Sequence, residues 1–201
     1  MDLNVKFTGR DALVQDILSI VGPAGRHDLF SVGAKALQVE VQRHVRNAAR
    51  SRHKWSTMLD AKPTGHLTRG ARAITWHASS TYGVVEVAIP GITRAFGDLA
   101  IRPVNADKLT IPATALSYGR RVAELQALGW KFFRGRRGTK GEHILFGRRE
   151  KETRVLYWLK DEVTIPMDRD LLPSDRTVAD TVNLAFAKEI MRVARKVCRM
   201  A

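Results

Sequence analysis

Five carboxylates, Glu86, Asp98, Glu142, Asp161 and Glu162, are the side chains that could do hydrolytic chemistry in this sequence. Carboxylates gathered at one point hold divalent metals, and such a centre cleaves phosphodiesters. Nothing in their spacing singles them out, since any basic α+β chain offers as many by chance. The six histidines, at 27, 44, 53, 66, 77 and 143, show no metal-ligand spacing. His44 falls beside an apolar helical stripe and is expected to be packed or hydrogen-bonded there. No Walker loop, G-x-G-x-x-G, H-E-x-x-H or nucleophile elbow occurs. The residues therefore predict no catalytic group, no metal and no cofactor; a nuclease ranks a distant third among the functions considered.

The cations are more pointed. Arg134, Arg136, Arg137 and Lys140 crowd the stretch Arg134–His143, which also holds Gly135, Gly138 and Gly141 and a single acid, Glu142. Glycines this dense predict an exposed loop. It is either a solvated hairpin tip or a finger that touches a polyanion or a neighbouring subunit, and the residues leave both open. Just before it, Trp130-Lys131-Phe132-Phe133-Arg134 interleaves aromatic and basic side chains. That pattern could stack bases; it also suits one core and one interface phenylalanine. A second basic edge comprises Arg43, Arg46, Arg50, Arg52 and Lys54, at the end of a predicted helix where positive charge suits the dipole.

These groups need elements to position them. Leu3, Val5 and Phe7 alternate with polar residues, predicting a first strand. From Asp11, the spacing of Leu13, Val14, Ile17, Leu18 and Val21 predicts a helix that Gly22-Pro23 ends. A second helix is expected from near Asp28 or Ser31 to about Arg50, burying Phe30, Ala34, Leu37, Val41, Val45 and Ala48. Trp55 to Arg69 reads as a loop, and Ala71–His77 with Val84–Ile89 as a hairpin. The stretch Ile101–Pro166 reads as the main sheet. Its two β-branched runs, Leu109-Thr110-Ile111-Pro112 and Val163-Thr164-Ile165-Pro166, should each stop at the proline or lie at an edge. Ala113–Leu128 is expected to be a helix inserted in the sheet, with Leu116, Val122, Leu125 and Leu128 buried. Strands follow at 130–133, 144–146, 154–160 and 163–166. The last helix should start at Ser174, a good N-cap, and bury Val178, Val182, Phe186, Ile190, Val193 and Val197.

The predicted class is α+β: a mostly antiparallel sheet over 71–166, packed by amphipathic helices near both ends. The predicted organisation is one domain over 1–201, with N-terminal helices at 11–54, the inserted helix at 113–128 and the C-terminal helix at 174–199.

The net charge of +14 and 44% hydrophobic residues add a second constraint. The chain can bury a real core, while its surface attracts nucleic acid, an acidic protein face or anionic lipid. The single cysteine, Cys198, excludes an internal disulfide and zinc sites built on cysteine pairs. A reducing, cytosolic origin is expected, with no signal peptide and no membrane span.

Several short motifs carry a family resemblance. Pro63-Thr64-Gly65-His66-Leu67-Thr68-Arg69 is similar to the Pro-Thr-Gly-x-Leu-Arg turn of phage minor tail and tail-completion proteins. Gly91-Ile92-Thr93-Arg94-Ala95-Phe96-Gly97-Asp98-Leu99-Ala100-Ile101-Arg102-Pro103, followed by Ala106–Pro112, resembles the centre of phage virion-morphogenesis proteins, those of Mu-like phages included. The order of elements fits too, over roughly Phe30 to Pro166. The resemblance implies a tail-completion-like fold and a structural, non-catalytic subunit of the virion neck or tail end, made in the bacterial cytoplasm. Its implied partners are further copies in a ring, six being the expected number, together with head-connector and tail-tube ring proteins. Non-specific contact with DNA in the channel is also implied. The competing class is a basic nucleic-acid-binding protein using the same charge.

Overall fold

A computed structural model describes residues 3–7, 22–52, 54–137 and 142–200. The fold is α+β with antiparallel sheets and long helices toward both ends, as the sequence predicts. The elements are β1 (Leu3–Phe7), α1 (Pro23–Ser51), α2 (Lys54–Met58), α3 (His66–Arg72), β2 (Thr75–Ala78), β3 (Gly83–Val87), β4 (Leu99–Ile101) and β5 (Leu109–Pro112). They continue with α4 (Val122–Ala127), β6 (Lys131–Arg137), β7 (Glu142–Arg149), β8 (Glu152–Lys160), β9 (Val163–Ile165) and α5 (Asp175–Met200). The helix predicted over 11–21 lies outside the described residues. Among the described residues, no helix is long and apolar enough to cross a membrane.

The chain divides into two compact units. The first is Met1–Arg50, His66–Phe96 and Asp168–Ala201; the second is Ser51–Gly65 and Gly97–Met167. Each unit has its own buried cluster.

In the first unit, β1, β3 and β2 form a three-stranded antiparallel sheet in that order. Val85 and Val87 of β3 are fully buried, as is Ile89 just beyond, in a cluster with Phe30, Leu37, Val41 and Val45 of α1 and Val182 and Phe186 of α5. Phe30, Ala34, Leu37, Val41, Val45 and Ala48 are buried, so the helical period of α1 reads out directly. Helix α1 begins earlier than expected, because Pro23 occupies its first turn. Proline's missing N–H costs nothing there, so Gly22-Pro23 opens this helix. The Gln38 side-chain amide donates to the Ile74 carbonyl at 2.6 Å, tying α1 to the entrance of β2. Helix α5 is capped as predicted: Ser174 Oγ accepts from the Thr177 N–H at 3.3 Å. Its stripe holds at Val182 and Phe186, is half-buried at Val178 and Ile190, and is exposed at Val193, while the Val197 side chain lies outside the described ones.

Two sequence expectations fail at 55–72. Trp55–Arg69 contains two short helices rather than a continuous loop, and residues 71–72 end α3 instead of starting a strand. The turn at Gly65, with φ of 67°, absorbs the break that glycine and proline signal, leaving His66 free to start α3.

In the second unit, the expected single sheet is two sheets. Four strands run in the order β5-β8-β7-β6, while β4 pairs only with β9. Proline explains the split: Pro103 interrupts the chain after β4, and Pro112 closes β5 at the edge of the larger sheet. A four-stranded antiparallel sheet with a bulge at Leu145/Phe146 lets Leu156 and Tyr157, neighbours in sequence, both be buried. They pack with Trp130 and Leu125. The inserted helix is only Val122–Ala127, and Leu128 is exposed. Residues 114–119 form turns instead, because Ser117 Oγ accepts from the Thr114 N–H at 3.2 Å and donates to the Thr114 carbonyl at 3.0 Å. Serine bonds of this kind compete with the helix ladder.

Candidate polyanion-binding surface

The stretch expected as a ten-residue loop is mostly paired strand. In β6 and β7, Arg134 faces Leu145, Gly135 faces Ile144, Arg136 faces His143 and Arg137 faces Glu142. Only residues 138–141, with Lys140 among them, lie outside the described residues. Glycine reads as a breaker, but Gly135 is required here by packing. A Cβ at that position would lie 2.6 Å from Cε2 of Phe146, whose ring covers the bare backbone. Arg134 is not uncancelled either: its Nη2 lies 3.4 Å from Asp107 Oδ2 in an exposed pair.

Antiparallel register places further cations at the opposite end of this hairpin. Lys131 stands directly across from Arg148. Arg149 follows, and Lys151 lies in the turn between β7 and β8. Among the described residues, none of Lys131, Arg148, Arg149 and Lys151 is bridged to a carboxylate; Arg154 nearby is paired with Glu152. Alternation along the strands puts Phe133 and Phe146 on the same face as Lys131 and Arg148. The two rings are stacked, with centroids 5.4 Å apart and planes 9° apart. Phe132, on the other face, packs with the buried cluster of Tyr157 and Trp130, and Phe133 is 46% exposed. The adjacent phenylalanines thus divide into one core and one surface residue.

Sequence reasoning singled out Lys131 only within the Trp130–Arg134 run, and it missed Arg148 and Arg149. The sequence carries both basic positions, but setting 131 against 148 requires the register of the paired strands.

The second basic edge falls across both units. Arg43, Arg46 and Arg50 lie on α1 at helical spacing in the first unit, and Arg52 and Lys54 belong to the second. Arg43 forks onto Glu40 at 2.8–3.0 Å, which removes it from the pool of free charge. Arg46 and Arg50 are exposed.

Four of the five carboxylates are separately engaged, and the side chain of Glu142 lies outside the described ones. Glu86 accepts from the Thr75 hydroxyl at 3.3 Å, and Asp98 Oδ1 accepts from the Met167 N–H at 2.7 Å. Asp161 is paired with Lys108, and that hydrogen bond holds its carboxyl below the usual range. Glu162 accepts from Arg102 at 2.9 Å. Among the described residues, no three His, Cys, Asp or Glu side chains converge as a metal site. His44 is hydrogen-bonded, its Nε2 lying 3.0 Å from the Asp170 carbonyl oxygen.

The first unit offers a different surface. Helices α1 and α5 border a groove of about 500 Å³ lined by Val32, Ala36, Leu184 and Ala185, together with Glu40 of α1 and Lys188, Glu189 and Arg192 of α5. Leu184 is 57% exposed in this groove, and Met191, further along α5, is 58% exposed. The two acids and two bases of the groove balance, in a chain whose net charge is +14.

No protein-family model, no curated protein and no solved structure matches this chain.

Proposed function

We propose that this chain is a non-catalytic structural subunit of a ring at the neck or tail end of a long-tailed phage. In this reading it completes the tail and joins it to the head. The observation that carries it is the groove between α1 and α5. A charge-balanced apolar groove on a strongly basic chain is a place where a second copy can approach without like-charge repulsion. Exposed Leu184 supplies an apolar anchor there. The Arg134–Lys140 side of the hairpin then faces an acidic surface on an adjacent ring, where charge sets register and rate of encounter.

Negative-stain electron microscopy of the purified chain tests the ring, with closed rings expected for the wild type and monomers for Leu184→Glu. Changing Arg134, Arg136, Arg137 and Lys140 to serine should leave the subunit folded and lower the count of complete virions. Monomers under all conditions, with normal virion yields from the fourfold variant, would defeat this reading.

A second reading, a nucleic-acid-binding protein, is favoured by one observation. Lys131 and Arg148 face each other across two strands with no acid between them. Like charges in that arrangement cost stability in the free protein, and a phosphate placed between them turns the cost into attraction.

A further inference from the structure

We infer that the face of the hairpin carrying Phe133, Phe146, Lys131 and Arg148 is a platform for single-stranded nucleic acid. The inference rests on the second of the two readings above and assigns it a site and a substrate class. It concerns the end of β6 and β7 that holds Lys131 and Arg148, so it is separate from the finger tested for ring joining.

The geometry has two parts on one face. Strand β6 is the outer strand of its sheet, so its side chains border solvent on the open side. On it, Phe133 stacks one ring face on Phe146 at 5.4 Å and keeps 46% of its surface exposed. Lys131, two residues earlier, shares that face, as does Arg148 across from it. A base laid on Phe133 extends the existing stack, and the phosphates beside that base fall toward the two cations. Stacking on an aromatic side chain is tolerant of sequence, because every base has a π-face. Covering the bare backbone of Gly135 explains Phe146, but it does not explain an exposed aromatic in the neighbouring strand. Nor does solubility explain two cations held opposite one another, when a carboxylate at either position would form a cross-strand pair.

A duplex satisfies only half of this arrangement, since its bases are already stacked on one another. An acidic peptide satisfies the cations but gains no plane-to-plane stacking. The platform is therefore specific for unstacked bases with a phosphate backbone, and indifferent to their order.

The test uses the full chain and fluorescein-labelled 20-nucleotide oligothymidine, with a duplex of the same length and polyglutamate as comparison probes, read by anisotropy over a range of salt. The expected result is single-strand binding tighter than duplex binding. Phe133→Leu, which keeps an apolar side chain at an exposed position, should weaken it about 5- to 100-fold with the salt slope unchanged. Lys131→Ser with Arg148→Ser should weaken binding to both nucleic acids and lower the salt slope by about 1.4 for the single strand. Circular dichroism confirms that each variant is folded, and Phe133→Tyr, which preserves stacking, should retain binding. If duplex binds as well as single strand and Phe133→Leu changes nothing, the platform is overturned while the nucleic-acid reading survives. If neither nucleic acid binds, both fall. If polyglutamate binds more tightly than either, in a manner that needs Phe133, the face docks an acidic protein and the inference is overturned.

Discussion

The ring of Phe186 occupies the space that a side chain at Gly33 would need. A Cβ built on Gly33 lies 2.5 Å from Phe186 Cε1, so α1 and α5 approach through a glycine. Phe30 meets the same ring edge-on, with centroids 5.9 Å apart. In an exposed helix, Gly→Ala would gain about 1 kcal/mol from propensity alone. Here the overpacking cost, about 1–3 kcal/mol, works against that gain. Gly33→Ala should therefore lower stability in the wild type and raise it when Phe186 is alanine. Phe186→Ala alone should cost about 3–5 kcal/mol. Urea titrations of the four proteins close the cycle, and additive effects would show that the contact is not formed.

That contact also shows what the sequence could and could not reveal. The stripes Phe30–Val45 and Val182–Phe186 were legible because burial repeats with the helical period. Gly33, by contrast, looks like a weak point inside a helix until Phe186 is placed against it. Gly135 under Phe146 reads as a breaker for the same reason, where the structure has a paired strand. Ser117 hid the shortness of α4, because its bonds to Thr114 are local geometry that apolar spacing does not register. Glycine and serine act through neighbours, and the neighbours come from elsewhere in the fold. The basic finger was legible as composition at Arg134–Lys140. The opposed pair Lys131 and Arg148 needed register, which follows only once the strands are known to run to 137 and from 142.

Tyr157 should prove a polar anchor in the second unit's core. It is almost fully buried, and its hydroxyl donates to the Arg120 carbonyl at 2.9 Å. Burial, with Glu124 adding to it, raises its pKa, so the group stays a protonated donor throughout the physiological range. Tyr157→Phe removes the donor and leaves the carbonyl short of a partner, at a cost of about 1 kcal/mol. Loss of less than a quarter of that in denaturant unfolding would mean that the carbonyl finds another donor.

His66 gives the first unit a pH dependence. Burial chiefly, then the charges of Arg94 and Arg69, lower its pKa from the ordinary 6.5. The folded protein therefore binds fewer protons at this ring than the unfolded chain does. The resulting stability is fully present above pH 6.5 and is lost as pH falls through the depressed folded value. Glu189 does not confuse the measurement, because its pKa is lowered from 4.5 by the hydrogen bond from Arg192 and its contribution is lost only in more acid solution. Thermal midpoints between pH 8 and 5 should fall for the wild type and fall less for His66→Gln. Parallel curves would show that His66 titrates alike in both states.

Stability and binding should separate at Lys131. Its side chain is exposed and stands opposite Arg148, so the free protein carries a like-charge pair in direct register on the outer strand. Lysine on an edge strand also discourages strand addition, which would explain one cation but not two facing each other. Lys131→Glu converts repulsion into a cross-strand attraction of about 0.2–1 kcal/mol, enough to raise the thermal midpoint by up to roughly 4 °C. Glutamate also keeps the edge charged, so solubility should not change. If the pair exists to hold phosphate, the same substitution places a negative charge where the ligand's charge must lie. The variant should then be the more stable protein and the weaker binder of oligothymidine. Raising salt should narrow the gap in stability, because both side chains are exposed and their interaction is screened. A variant that gains stability and binds the oligonucleotide as well as the wild type would show that the cations stand opposite one another without serving a ligand.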